Sequence, residues 1–383
     1  MATSPRIAVI GGGPGGLILA RLLQVAGTPA TVFERDPHSA WRPQGGSLDL
    51  HQDTGLRALR LAGLEAAFLA HARPENQGDR LYDPSGALLF DDDGGGYERP
   101  EIDRTALRAI LLDSLDDGAV RWDARVVEVR PRRGGGCQVI TETGSGHFDI
   151  VVGADGAWSR VRPLLSEAQP AYEGVVFVEL GFQAERHGFV DELAGRGKMF
   201  AVGDDRVLVA QRNGRGHIRG YAGWRTPEAA ARALADLPES QVRAAALEVF
   251  GGWAPVLTDM IRQGDFLGVR AIHALPIGHR WTSRPGLTLL GDAAHLMSPF
   301  AGEGVNLALA DAADLAETLV PGDWTAVTRA EAAIAARAEA AAEGSAQGLR
   351  AAFSSEGVRG VLGHYRERIQ GHEAGAVGAP SAA

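Results

Sequence analysis

A Rossmann-like α/β domain, interrupted by an inserted antiparallel-sheet domain and followed by a long C-terminal helix, is predicted by three features of this chain. An apolar run at Arg6–Ile10 leads into glycines 11, 12, 13, 15 and 16 and then into an apolar helix. A second apolar run, Leu287–Leu290, leads into Gly291-Asp292. Between them, from about 170 to 265, the texture changes to alternating strands, two of them joined by the hairpin signal Asn213-Gly214.

The N-terminal elements follow from local chemistry. Arg6-Ile7-Ala8-Val9-Ile10 is apolar and β-branched enough for a buried parallel strand. Gly11, Gly13 and Gly16 fit G-x-G-x-x-G, with Pro14 and Gly15 between them. Such glycines permit a tight turn, close approach of a pyrophosphate, and close helix–strand packing. Leu17 to Ala26 reads as a helix ended by Gly27, and its N-terminus offers free N–H groups to an anion. The next strand, Ala30–Phe33, delivers Glu34 at the spacing expected of a ribose-binding carboxylate, with Arg35 beside it.

Further along, Pro74 to Gly96 reads as an excursion containing Asp91-Asp92-Asp93, and Pro100–Arg104 opens a helix through Leu107, Ile110 and Leu111. Val120–Trp122 and Ala124–Val129 read as strands, and Phe148–Gly153 as one buried strand. Gly174–Phe182, Arg206–Arg212 and His217–Trp224 alternate as strands, with helices at 227–236 and 239–250. Trp324 to about Arg350 is an Ala-rich long helix, followed by a more polar one ending near Ile369.

The two glycine motifs together point to FAD. The first would hold its ADP half. The second, Gly291-Asp292 with Pro299, Gly302, Gly304, Val305 and Asn306, would close over the ribityl chain and present a helix N-terminus to the isoalloxazine ring. A protein that bound NAD alone has no use for the second. The expected division is residues 1–72, 97–169 and 266–322 for the FAD-binding domain and 73–96 with 170–265 for the substrate domain. Residues 323–370 would form C-terminal helices and 371–383 a disordered tail.

Composition narrows the function. The 383-residue chain is 45% hydrophobic and carries a net charge of −10 with no basic block, which argues against nucleic acid as a partner. A single cysteine, Cys137, excludes an internal disulfide and suits a reducing cytoplasm. No Cys/His cluster offers a metal site, and no segment reads as a membrane span. A monomer is expected.

The glycine motif with Glu34-Arg35, Gly153-Ala154-Asp155-Gly156 with Ser159 and Arg162, and Gly291-Asp292 with its sequel resemble the class A flavoprotein monooxygenases, the para-hydroxybenzoate-hydroxylase-like family. Gly45–His51, Pro100–Arg104 with Leu107–Leu112, and Gly291–Asn306 are similar to the flavin-dependent tetracycline-inactivating members. The resemblance implies an FAD-dependent hydroxylase that uses NADPH or NADH and O2 through a flavin C4a-hydroperoxide. It implies that Asp292 binds the ribityl chain, that Arg104 and Asp49 contact FAD, and that Arg42 helps bind NADPH. Asp155 and Gly156 would support both FAD and the reductant, and Pro299 and Gly302 would lie beside the ring. No protein side chain is assigned as a catalyst.

By the same resemblance Glu179, Lys198, Phe200, Val209, Arg219 and Tyr221 fall at substrate contacts, for an aromatic or polycyclic compound such as a tetracycline-like polyketide. Period-two alternation puts Arg219 and Tyr221 on one strand face. Arg219 and Glu179 could equally form a structural ion pair. A buried Asp292 carboxylate is expected. His51 and His295 read as structural histidines, and Trp253 and Trp281 as core or domain-interface residues rather than flavin-stacking platforms. Alternatives are a flavin reductase, a Baeyer–Villiger enzyme or a non-catalytic flavoprotein. The W-x-W-x-I-P motif of flavin halogenases is absent.

Overall fold

The computed structural model describes residues 4–41, 45–95, 99–320, 322–363 and 365–366. The chain divides into two compact units. One comprises Met1–Pro74, Tyr97–Glu173 and His273–Ala346, the other Glu75–Gly96, Gly174–Ile272 and Gln347–Ala383.

The first unit is built on a five-stranded sheet in the order Leu287–Leu289, Ile150–Gly153, Ile7–Ile10, Ala30–Phe33, Val120–Arg121. All neighbours are parallel. Strands buried on both faces need apolar residues at every position, and Ile7-Ala8-Val9-Ile10 and Ile150-Val151-Val152 supply them. The helix Pro14–Val25 buries Leu17, Ile18, Leu19, Leu22 and Leu23 in a core shared with Leu309, Ala312 and Ala313 of the helix Gly304–Leu319. Each such leucine contributes about 1.5–3 kcal/mol by leaving water. A three-stranded ribbon, Val126–Pro131, Cys137–Thr141 and Gly144–Phe148, and a two-stranded one, Ser47–Asp49 with Glu101–Asp103, complete this unit.

The structure corrects one strand. Phe148–Gly153 is two elements: Phe148 ends the antiparallel ribbon opposite Cys137, and Ile150 begins the parallel sheet. The break is held at Asp149, whose Oδ2 accepts from the Arg6 amide at 2.7 Å while its own amide donates to Arg6 O. The ribbon strand Gly144–Phe148 is polar and largely exposed, but its last residue, Phe148, is buried like Ile150–Gly153 and so reads as the start of that strand.

The second unit carries a seven-stranded sheet in the order Asp265–Ala274, Ala171–Gln183, His217–Arg225, Arg206–Arg212, Gly197–Gly203, Gly78–Tyr82, Leu88–Asp92. The sheet is antiparallel through its middle, with a parallel pair where Gly78–Tyr82 joins Gly197–Gly203. The hairpin at Asn213-Gly214 forms, but its loop runs Asn213–Gly216 and places Arg215 (φ 59°) and Gly216 (φ 71°) in left-handed conformations. Met199, Ala201, Leu208, Ala210, Ala222, Leu180 and Phe182 make one face fully buried. Helices Glu228–Ala235, Glu239–Val249 and Pro255–Gln263 belong to this unit. The 29-residue helix Trp324–Ala352 begins in the first unit and ends in the second. Residues 357–363 are again helical, and the tail from 367 lies outside the described residues.

Candidate functional site

Adjacent parallel strands end side by side. Ile10 is in register with Gly153, and Gly153 with Leu289. Gly11, Ala154-Asp155 and Leu290-Gly291 therefore emerge together at the carboxyl edge of the sheet, where open α/β sheets bind their ligands.

The glycine loop is tightly specified. Gly11 has φ +111°, and a Cβ there would lie 2.3 Å from Ala154 O. A Cβ on Gly16 would lie 2.1 Å from Gly11 O. Gly15 sits against Leu290 and Ala308, the latter in the helix that follows the second motif. Gly13 differs: a Cβ there would meet nothing within 4 Å. Gly13 is also the N-cap of the helix, with no side-chain cap and Pro14 in its first turn. Open space over an uncapped helix N-terminus suits a phosphate.

Glu34 is buried. Its Oε2 accepts from the Gly12 amide at 2.8 Å and its Oε1 from the Asp36 amide at 2.9 Å. Each oxygen keeps a further lone pair, so ribose hydroxyls could still be bound. Arg35 is exposed. The loop is held from behind by Arg108, which is almost wholly buried. Arg108 donates to Gly12 O at 3.4 Å and Ser39 O at 2.6 Å, stacks on Trp122 and faces Asp36 at 3.7 Å. Its only sequence signal was a charge on the buried stripe of Leu107, Ile110 and Leu111.

Asp155 accepts from the Arg160 amide through Oδ2 at 2.6 Å, while its buried Oδ1 has no hydrogen-bond partner among the described residues. Burial raises its pKa above the usual carboxylate range, against the pull of its bonds to Ser159 and the Arg160 amide. Ser159 Oγ accepts from the amides of Val161 and Arg162. Arg162 is buried and spends its guanidinium on three carbonyls: Ala293 at 3.0 Å, Ala157 at 2.6 Å and Ala168 at 3.2 Å. It ties the loop of Asp155 to the helix Asp292–His295, and desolvation lowers its pKa.

Gly291 has φ +57°, and its amide donates to Asp311 Oδ2 at 3.0 Å. Asp311 is completely buried. It also accepts from His295 Nε2 at 2.5 Å and, through Oδ1, from Arg337 at 2.9 Å; Arg337 also binds Asp314. Burial alone would favour the neutral forms of His295 and Asp311. Their mutual attraction, with Arg337 added, outweighs it, so the histidine is raised and the aspartate lowered. His295 is thus buried and held by Asp311. Asp311 and Arg337 were missed; an Asp between alanines on the buried face of the helix Gly304–Leu319 was the signal for the first. Asp292 itself is exposed, which corrects the buried carboxylate expected: it opens the four-residue helix and turns outward.

Pro299 is exposed, while the neighbouring Ser298 is buried and bonds Ser345. The helix after the turn starts at Gly304 rather than Gly302. Gly302 takes φ +69°, and a Cβ on Gly304 would meet nothing within 4 Å. Val305 is half-buried, and Asn306 is fully buried, donating from Nδ2 to Asp49 O at 2.9 Å. Arg104 is exposed, with its amide on Gly46 O at 3.1 Å. Arg42 lies outside the described residues.

The residues fit a dinucleotide carrying a ring system. Open space at Gly13 and Gly304, uncapped helix starts behind both, and an orphan buried oxygen on Asp155 are the places such a ligand would fill.

In the second unit the six residues expected at the substrate share one sheet face. Glu179, Tyr221, Val209 and Phe200 are registered neighbours across four strands. Arg219, Gln211 and Lys198 form the next row. Arg219 does form the ion pair with Glu179, at 2.6 Å, and Arg270 bonds the other oxygen at 2.5 Å. Gly268, at φ +145°, breaks the alternation of its strand. Leu267 therefore meets Gly181 and Arg270 meets Glu179 on the same face. Lys198 lies 3.6 Å from buried Asp79. Among the described residues no helix is long and apolar enough to cross a membrane, and no group of three His, Cys, Asp or Glu could hold a metal.

Comparison with known proteins agrees with this geometry. Residues 5–322 match the family model described as FAD binding domain. The monooxygenase asqM of Emericella nidulans is 32% identical over 371 residues, covering 82% of this chain and 83% of that protein. The monooxygenase penA of Penicillium thymicola is 35% identical over 366 residues, covering 82% and 84%. Among solved structures, Klebsiella pneumoniae HpxO complexed with FAD and uric acid superposes with a TM-score of 0.77 at 20% identity, covering 94% of this chain and 92% of that one. The tetracycline destructase Tet(55) gives 0.74 at 21% identity, covering 92% and 91%. The matched domain and these relatives place the chain in the FAD-binding monooxygenase family.

Proposed function

We propose that this protein hydroxylates an aromatic or polycyclic substrate, taking electrons from NADPH or NADH and one oxygen atom from O2. The balance is substrate C–H, O2, NAD(P)H and a proton going to substrate C–OH, water and NAD(P)+. FAD, when bound, supplies the electron transfer and oxygen activation. The observation that carries this reading is the meeting of three strand ends, with Gly11–Gly16, Asp155 and Gly291-Asp292 at one sheet edge. In this reading Glu34 and the N-terminus of Pro14–Val25 bind the ADP half. Asp155 Oδ1 and the exposed Asp292 accept hydroxyl bonds. The uncapped start of Gly304–Leu319 receives the ring's negative edge. Arg35, Arg104 and Arg42 remain candidates for the cofactors' phosphates, and Asp49 for a contact with FAD.

The half-open sheet face of the second unit supports the substrate class. Tyr221 and Phe200 offer rings for stacking, and Val209 an apolar floor. Arg219 and Arg270 share the one carboxylate of Glu179, so this cluster keeps a net positive charge for a phenolate or enolate. A tetracycline is one such compound.

The test is NADPH consumption by the purified yellow protein against a panel of phenolic polycycles, with product masses. Oxidation stimulated by a compound that gains one oxygen is expected. Oxidation without oxygen insertion would make the protein a reductase, and none at all would make it a binder. Arg219→Ala is expected to raise the KM for a phenolic substrate about tenfold while FAD content stays unchanged, through loss of one charge-assisted bond. A lowered melting temperature with unaltered turnover would instead mark Arg219 as purely structural.

A further inference from the structure

His51 follows the strand Ser47–Asp49 and lies between two carboxylates. Its Nε2 is 3.2 Å from Asp49 Oδ2, and its Nδ1 is 3.5 Å from Glu303 Oε2. A neutral imidazole has one N–H, so it can donate to one carboxylate at a time; both contacts are donor bonds only on the doubly protonated ring. The surrounding backbone is fixed by Asn306, whose Oδ1 accepts from the His51 amide at 3.0 Å and whose Nδ2 donates to Asp49 O. Glu303 sits in the turn Gly302–Gly304, and a Cβ on Gly302 would lie 3.6 Å from Asp49 Oδ1. From the adjoining elements, Arg57 turns to Asp314 and Glu317, Arg60 to Glu65 and Gln52, and Arg104 lies beside Gly45. The imidazole thus faces a carboxylate on the strand side and another on the turn side.

We propose that His51 is a positioning residue for the flavin ring: by bridging Asp49 and Glu303 it holds the turn Gly302–Gly304 against the strand Ser47–Asp49 and cancels one negative charge at the ring's edge. This rests on the reading that the turn takes the ring. A ring that gains negative charge on reduction is favoured where that charge is cancelled. Burial of the imidazole opposes its protonation, but the bonds to Asp49 and Glu303 and their charges prevail and raise its pKa to about 9. A raised pKa means that the bridge is complete below the ordinary value near 6.5 and is lost as pH rises through about 9.

The experiment titrates FAD into the FAD-free full-length chain between pH 6 and 10 and records the midpoint potential of the loaded protein. For the wild type, the Kd should be constant to about pH 8 and rise beyond it. His51→Gln should bind FAD roughly tenfold more weakly at pH 7, show no further rise at high pH, and have a more negative midpoint. Adding Glu303→Gln to that variant restores the charge count without the bond, and should return the midpoint toward the wild-type value. An unchanged Kd and midpoint in His51→Gln, or a pH rise that persists in it, overturns the proposal. If circular dichroism shows His51→Gln unfolded, Glu303→Gln alone decides: a midpoint moved positive supports the bridge, and an unmoved one overturns it. A wild type that takes up no FAD at all would instead sink the cofactor reading on which the proposal stands.

Discussion

Asp311→Ala should lower stability by about 3–5 kcal/mol and leave the protein unable to retain FAD. Asp311 has no exposure to solvent and holds three donors at once: the Gly291 amide, His295 Nε2 and Arg337. Without it, buried His295 loses the charge that raises its pKa, and the amide that sets the left-handed turn at Gly291 loses its acceptor. Arg337 keeps Asp314, so the damage centres on the turn and the histidine. For a chain of this size the melting temperature should fall by about 4–6 °C. Asp311→Asn keeps an acceptor for Gly291 but not the charge, and should fall between the two. Thermal melts of the three proteins, with FAD measured by absorbance after desalting, check the order. Melting temperatures that coincide would mean that the network relaxes onto water and does not set the turn.

Gly16→Ala should cost about 3 kcal/mol, roughly a hundredfold in FAD affinity. The added methyl would stand 2.1 Å from Gly11 O, a backbone atom whose own glycine is pressed against Ala154 O. Helix and strand would have to part, and the loop would lose its shape. Gly13→Ala is the informative contrast, because its methyl enters open space. It should leave the melting temperature of the FAD-free protein unchanged and still weaken FAD, because the methyl occupies the phosphate's place. If Gly13→Ala binds FAD as well as the wild type does, the phosphates lie elsewhere along the loop. Isothermal titration of FAD into each FAD-free variant measures both effects.

The periodic and punctuated parts of this protein could be read from its sequence. Strand Ile7–Ile10, the glycine turn, the helix Pro14–Val25 and Glu34 follow from local rules. So does the strand before Gly291, because β-branched runs, glycines and terminal acids act within a few residues of one another. Alternation likewise set Arg219 and Tyr221 on one face, and the register carried Glu179, Phe200, Val209 and Lys198 to join them. Tertiary structure decided what depends on partners far along the chain. Arg162 reaches Ala293, Arg337 reaches Asp311, and His51 reaches Glu303, each through a contact that no local pattern announces. It also decided where Phe148 leaves one sheet and Ile150 enters another, since both residues are apolar and buried and only Asp149 stands between them. Arg219 was legible as a cation on the right face. Its pairing with Glu179 is one of two readings the residues leave open; that Arg270 joins the same carboxylate was not legible, because the glycine at 268 that brings Arg270 round acts through a third strand. Backbone propensity is written residue by residue, whereas the pairing of buried charges is settled only when the desolvated groups are brought face to face.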